Sequence, residues 1–234
     1  MAVASPQKLI ADLRRWLARM ESHGRASAAV LPFHEVIEGR AASEYAGLAT
    51  LFAAGVVARL AGPVLWCLRG RDLFAPALAR IGLHPDRVIY CETWNDREVL
   101  PAMEEGLKCR GLAAVVGEAT RLSLTASRRL QLAAGESGVT AILIRRWHNA
   151  TERVQASEPN AAATRWRISP HPSPQKHFDS LDRQHWHVEL LRARGGELCS
   201  WILEACDATG HLALPAALAE RSAAAEEPRV RRAG

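Results

Sequence analysis

Two short runs of alternating arginine and tryptophan stand out in the chain: Arg145-Arg146-Trp147 and Arg165-Trp166-Arg167. Guanidinium groups bind phosphates and indoles stack on unpaired bases, so this mixture suits single-stranded nucleic acid. The same six residues suit a second role equally, with the tryptophans as core anchors and the arginines as strand-end charges. Glu118 closes the apolar run Leu112–Val116, where a nucleotide hydrolase keeps its metal-binding acid. An arginine-paired carboxylate at a strand end is the simpler expectation for it. A phosphate loop would begin at Gly39 and needs the pattern G-x-x-x-x-G-K-[ST]. Ser43 precedes the deciding positions, which hold Glu44, Tyr45 and Ala46 in place of glycine, lysine and a hydroxyl residue. Without the lysine for the phosphates and the hydroxyl for Mg²⁺, ordinary ATP hydrolysis is not expected, and no cofactor is. His171, His177, His185 and His187 crowd one segment ahead of Cys199 and Cys206, but at no spacing that suits a zinc site.

Positioning these residues needs a layered fold. Leu112 to Arg146 reads as strand, polar turn, helix, glycine-bounded turn and strand. Ser123 is placed to cap the helix and Gly138 to end it. Ala126, Leu130, Ala133, Ala134 and Ser137 share one face, and Arg128 and Arg129 lie off it. Two apolar strands joined by a helix of this size form a parallel pair. The same alternation precedes it: strands at 33–38, 64–68 and 87–91, and helices at about 44–60, 73–80 and 96–108. The second of these strands is VLWCL; Pro101 either kinks the last helix or marks its true start. After Arg146 the pattern changes. A strand is expected at 161–168 and a Pro/His/Ser-rich loop at 169–185. A hairpin follows, from 186–194 and 198–205 around Gly195-Gly196. The fold class is therefore α/β, a parallel sheet flanked by helices and extended by antiparallel strands. Ahead of it, Leu9, Leu13, Trp16, Leu17 and Met20 form one apolar stripe at helical spacing. The stripe suits packing on the chain's own core or docking to a partner.

The chain has 234 residues, 48% of them hydrophobic, and a net charge of +5 carried mostly by arginine. That suits one domain with appended ends and permits nucleic-acid contact without requiring it. No run is long and apolar enough for a transmembrane helix, and the start lacks an export signal. The five cysteines include no C-x-x-C pair, as expected of free thiols in a reducing cytoplasm.

Four stretches carry a resemblance to a known family. They are LAGPVLWCLRGRDLFAPALARIGL (60–83), GLAAVVGEATRLSLTASRRLQLAAGESGVTAILIRR (111–146), AAATRWRI (161–168) and WHVELLRARGGELCSWILEACDATGHLALP (186–215). They resemble the ImuA family, RecA-like proteins of bacterial damage-inducible mutagenesis operons. The resemblance implies a RecA-like domain over 31–215 with a degenerate phosphate loop. An N-terminal helix over 1–24 would precede it, and a disordered tail over 216–234 would follow. It also implies a non-catalytic accessory role in SOS-induced, error-prone translesion synthesis. The implied partners are an ImuB-type polymerase homologue and an error-prone paralogue of the polymerase III α subunit. Single-stranded DNA and RecA are further candidates, and no membrane is involved. The implied location is the cytoplasm, with recruitment to the nucleoid after damage. Two alternatives stay open: a degenerate-loop, DNA-dependent ATPase, and a cell-division inhibitor of the related SulA type.

Overall fold

The computed structural model describes residues 11, 33–39, 47–70, 72–147, 149, 151–152, 158–172, 183–194, 198–213 and 215. The stripe Leu9, Leu13, Trp16, Leu17 and Met20, positions Ser43, Glu44, Tyr45 and Ala46, and the C-terminal tail lie outside them.

The elements run β1 (Phe33–Glu38), α1 (Leu48–Ala58), β2 (Val64–Leu68), α2 (Ala75–Ala79), β3 (Val88–Glu92), α3 (Asp96–Leu107), β4 (Ala114–Ala119), α4 (Leu124–Ser137) and β5 (Thr140–Arg145). After these come β6 (Thr164–His171), β7 (His185–Ala193) and β8 (Cys199–Glu204). All eight strands form one sheet in the order β3-β2-β4-β5-β1-β6-β7-β8. The first six are parallel; β7 and β8 close the sheet as an antiparallel hairpin. This is the α/β architecture expected, with β1 near the middle and its neighbours, β5 and β6, arriving from far along the chain.

Side-chain alternation divides the core into two layers. On β4, Ala114 and Val116 join α1 and α2 on one face, while Val115 meets α3 and α4 on the other. The first layer also holds Trp66, Trp166, Trp186 and Trp201. The mostly apolar α1 lies between the sheet and the 206–210 segment, where Gly55 approaches Cys206 too closely to carry a side chain. Its last carbonyls are closed by one distant group. The Arg87 guanidinium donates to the carbonyls of Ala58 (2.8 Å), Gly62 (3.0 Å) and Leu60. On the other face, α4 is bounded as its sequence predicts. Ser123 Oγ accepts the Ala126 N–H at 3.1 Å, and Gly138 ends the helix at φ 77°.

Two boundaries differ from expectation for physical reasons. Strand β4 continues through Gly117 and Glu118 instead of turning there. Gly117 is needed because a Cβ would collide with Met103 of α3. Helix α3 takes the longer of its two expected forms: it starts at Asp96, capped by the Asn95 side chain, and runs through Pro101. Strand β6 extends to His171. Its pairing with β1 ends at Ile168, so Pro170 faces no parallel neighbour that would need its missing N–H.

Candidate functional site

The carboxyl ends of β2, β4 and β5 meet the start of α3 at one cleft, the usual ligand position of open α/β sheets. The cleft measures about 280 Å³ and is lined by Arg69, Gly70, Asp72, Asp96, Glu118, Ala119, Thr120 and Arg146. Its centre is Arg146, whose guanidinium reaches Asp72 at 2.5 Å, Glu118 at 2.8 Å and the Thr50 hydroxyl at 3.1 Å. The Trp66 indole N–H donates to the second oxygen of Glu118 at 2.7 Å. Burial pushes the Glu118 carboxyl above its ordinary range, and Arg146 and the Trp66 hydrogen bond only partly offset this. Burial works against the Arg146 charge too, but Glu118, Asp72 and Glu38 more than restore it. Glu118 is therefore the arginine-paired strand-end carboxylate, not an acid open to a metal. Among the described residues, no three His, Cys, Asp or Glu side chains are grouped to hold a metal ion.

Beside this cleft lies the start of α1, where a phosphate loop would present its N–H groups. Glu38 takes them instead. Its Oε1 accepts the N–H of Ala49 at 3.1 Å and that of Gly47 at 3.3 Å. The protein's own carboxylate thus stands at the positive end of the helix, where a nucleotide hydrolase would hold phosphate. Burial raises the Glu38 pKa to about 7 against the pull of those two N–H groups and Arg146. Gly39, the first position of the degenerate loop, runs hard against β6. Its N–H donates to the Ile168 carbonyl at 2.7 Å, and a Cβ there would collide with Ser169.

The six arginine and tryptophan candidates do not form an exposed strip. Trp166 is fully buried, with ring centroids 5.7 Å from Phe52 and 6.0 Å from Trp201. Trp147 is buried beside Ile37 and donates to the Glu38 carbonyl at 2.8 Å. Arg145 and Arg165 turn inward onto Glu35, at 3.1 and 2.5 Å. Arg146 fills the cleft just described. Arg167 pairs across the sheet with Glu189 at 2.5 Å and, at 38% side-chain exposure, is the most accessible of the four arginines. Both tryptophans are thus core residues, and all four arginines are ion-paired within the chain.

Sequence reasoning missed the buried centre of this network. Glu35 is fully buried, and Asn160 adds a hydrogen bond to it at 2.7 Å. Arg145 also donates to the Thr120 carbonyl at 2.7 Å, and Arg165 to that of Glu158 at 2.6 Å. The signal was present in FHEVIE. A strand covered on both faces that carries two glutamates and a histidine must bury and pair them. The rim holds a second unforeseen feature. Strand β3 is the last of the sheet, and Ile89 and Tyr90 on it are 51% and 40% exposed. Phe74, ahead of α2, and Trp94, just past β3, are 69% and 94% exposed. These four are the majority of the large exposed apolar residues among those described.

No family model matches the sequence. Protein ImuA of Caulobacter vibrioides strain NA1000 / CB15N is 36% identical over 207 residues, spanning 83% of this chain and 84% of that protein. Protein ImuA of strain ATCC 19089 / CIP 103742 / CB 15 matches to the same extent. The chain belongs to the ImuA family. Its closed α1 terminus and self-neutralised cleft are thus features of an ImuA-family protein. The crystal structure of SulA from Pseudomonas aeruginosa superposes at a TM-score of 0.41 and 19% identity, covering 49% of this chain and 98% of that one. Among the described residues of this ImuA-family chain, no helix is long and apolar enough to cross a membrane.

Proposed function

We propose that this ImuA-family protein is a non-catalytic, RecA-like adaptor of SOS-induced, error-prone translesion synthesis. It joins an ImuB-type polymerase homologue to an error-prone paralogue of the polymerase III α subunit at lesions, acting in the cytoplasm and at the damaged nucleoid. The observation that carries the non-catalytic part is Glu38, whose carboxylate takes the α1 N–H groups that a nucleotide phosphate would need. Family membership supports the setting. Purified protein is expected to release no phosphate from ATP above the blank, with or without single-stranded DNA. Turnover that Glu118→Gln abolishes would overturn the reading.

An adaptor needs a docking surface, and the proposed one is at β3, the last strand of the sheet among the described residues. An edge strand can take an added strand, and Ile89 and Tyr90 on β3, with Phe74 ahead of α2 and Trp94 just past β3, offer exposed apolar side chains. The ImuB-type protein is the proposed occupant, with the N-terminal stripe Leu9 to Met20 as a second contact. Co-expression with the ImuB-type protein should give a complex that Ile89→Lys with Trp94→Asp weakens at least tenfold while the melting temperature holds. Undiminished co-purification would remove the edge from the proposal. Arg145 and Arg165 are buried on Glu35, so the proposal for single-stranded DNA turns to other arginines. The proposed contacts are Arg167 and the exposed cleft-rim residues Arg69 and Arg121.

A further inference from the structure

Two of the five cysteines stand face to face. Cys67 on β2 and Cys91 on β3 are direct partners in the parallel pairing, so their side chains rise from the same face of the sheet. Both belong to the layer under α3. Neighbouring strands lie about 4.8 Å apart, which puts in-register Cα atoms inside the ~4.4–6.8 Å range that disulfides span. Burial, followed by the neighbouring Cys91, holds Cys67 in its protonated form. Their surroundings differ. Cys67 is fully buried, whereas Cys91 is half-buried on the last strand of the sheet, where solvent reaches it. Cys109 is exposed, and Cys199 and Cys206 lie beyond β7; none of the three pairs in register with another cysteine.

We infer that Cys91 and Cys67 form a peroxide-sensitive thiol pair that closes to a cross-strand disulfide. Cys91 is the sulfur that meets the oxidant. As thiolate it attacks one oxygen of hydrogen peroxide; the O–O bond breaks, the sulfur becomes a sulfenic acid, and hydroxide leaves as water after taking a proton. The Cys67 sulfur then attacks the sulfenic sulfur. The S–S bond forms, the S–O bond breaks, and the departing hydroxide takes the Cys67 proton as a second water. One peroxide is reduced by two electrons and the two thiols are oxidised by two. A dithiol reverses the change by exchange, so in a reducing cytoplasm the bond lasts only while peroxide is present.

The bridge would lie between Tyr90 and the Trp94 rim, tying the edge strand to β2. Its effect on docking rests on the adaptor reading; the thiol chemistry does not, and the test below reads the chemistry alone. Reduced full-length protein is treated with hydrogen peroxide, alkylated and mapped by peptide mass spectrometry. The expected result is a linked Cys67–Cys91 peptide pair, with the thiol count in denaturant falling from five to three and returning to five with dithiothreitol. Cys67→Ala should leave a Cys91 sulfenic acid that dimedone traps, and Cys91→Ala should leave Cys67 unoxidised. Oxidation confined to Cys109, or Cys91 passing to sulfinic acid as fast in the wild type as in Cys67→Ala, would overturn the inference. The wild-type measurement stands even where a variant folds poorly.

Discussion

Glu35→Ala is expected to destabilise the protein by about 3–5 kcal/mol, the cost of removing one partner from a buried ion network. The carboxylate is fully buried between Arg145 and Arg165, which are themselves almost wholly inside. Without it, two buried guanidinium groups lose the carboxylate they share. Glu35→Gln keeps the shape and the Asn160 contact but not the charge, so it should lose nearly as much. Neutralising an arginine in turn should recover stability: Arg165→Met in the Glu35→Gln background is predicted to be more stable than Glu35→Gln alone. The measurement is urea unfolding with a common slope, so that midpoints report stability. A Glu35→Ala midpoint within about 1 kcal/mol of wild type would mean that water enters the network and screens it. The consequence reaches function. Arg145 also fastens the end of β5 to the Thr120 carbonyl beyond β4, so the network holds one wall of the cleft.

That network also marks where the sequence stops being legible. The ends of β1 and β2, the Asn95 and Ser123 caps and the Gly138 stop all follow from local pattern, because each depends on residues within one turn or one strand. The C-terminal hairpin is legible for the same reason. Glu35 is different. Its partners lie 110 and 130 positions away, and no periodicity connects them. Arg145 and Trp166 carry the composition of a nucleic-acid surface, and only the sheet order reveals that their side chains are turned into the core. The missing phosphate-loop lysine was readable at Tyr45, but the group that takes the loop's place was not. Glu38 ends an apolar strand, and only the fold sets it against the α1 N–H groups.

Acid should separate His34 from every other group in the core. The imidazole is buried, and desolvation lowers its pKa from 6.5 to about 3. Its Nδ1 meets the Thr164 hydroxyl at 2.8 Å, and the Trp166 indole N–H donates to that same oxygen. With the indole donating, the hydroxyl proton is free for Nδ1, which places the ring proton on Nε2, an atom with no hydrogen-bond partner among the described residues. Protonating Nδ1 would turn the hydroxyl away and charge a site that water does not reach. Above pH 6.5 neither the folded nor the unfolded chain protonates this ring. Below it the unfolded chain does and the folded chain does not, so stability falls by about 1.4 kcal/mol per pH unit, approaching about 5 kcal/mol near pH 3. Glu38 acts in the opposite sense. Its pKa rises from 4.5 to about 7 on folding, so its contribution is full below 4.5 and is lost as the pH rises through 7. Between pH 6.5 and 4.5 the two nearly cancel, and below 4.5 the His34 loss is unopposed. His34→Gln, neutral throughout, should therefore gain on wild type at every step from pH 6.5 down to 3, with all other carboxylates common to both proteins. Parallel stability curves, or a His34 ring that titrates near 6.5 by NMR, would show that the imidazole reaches water in the folded state.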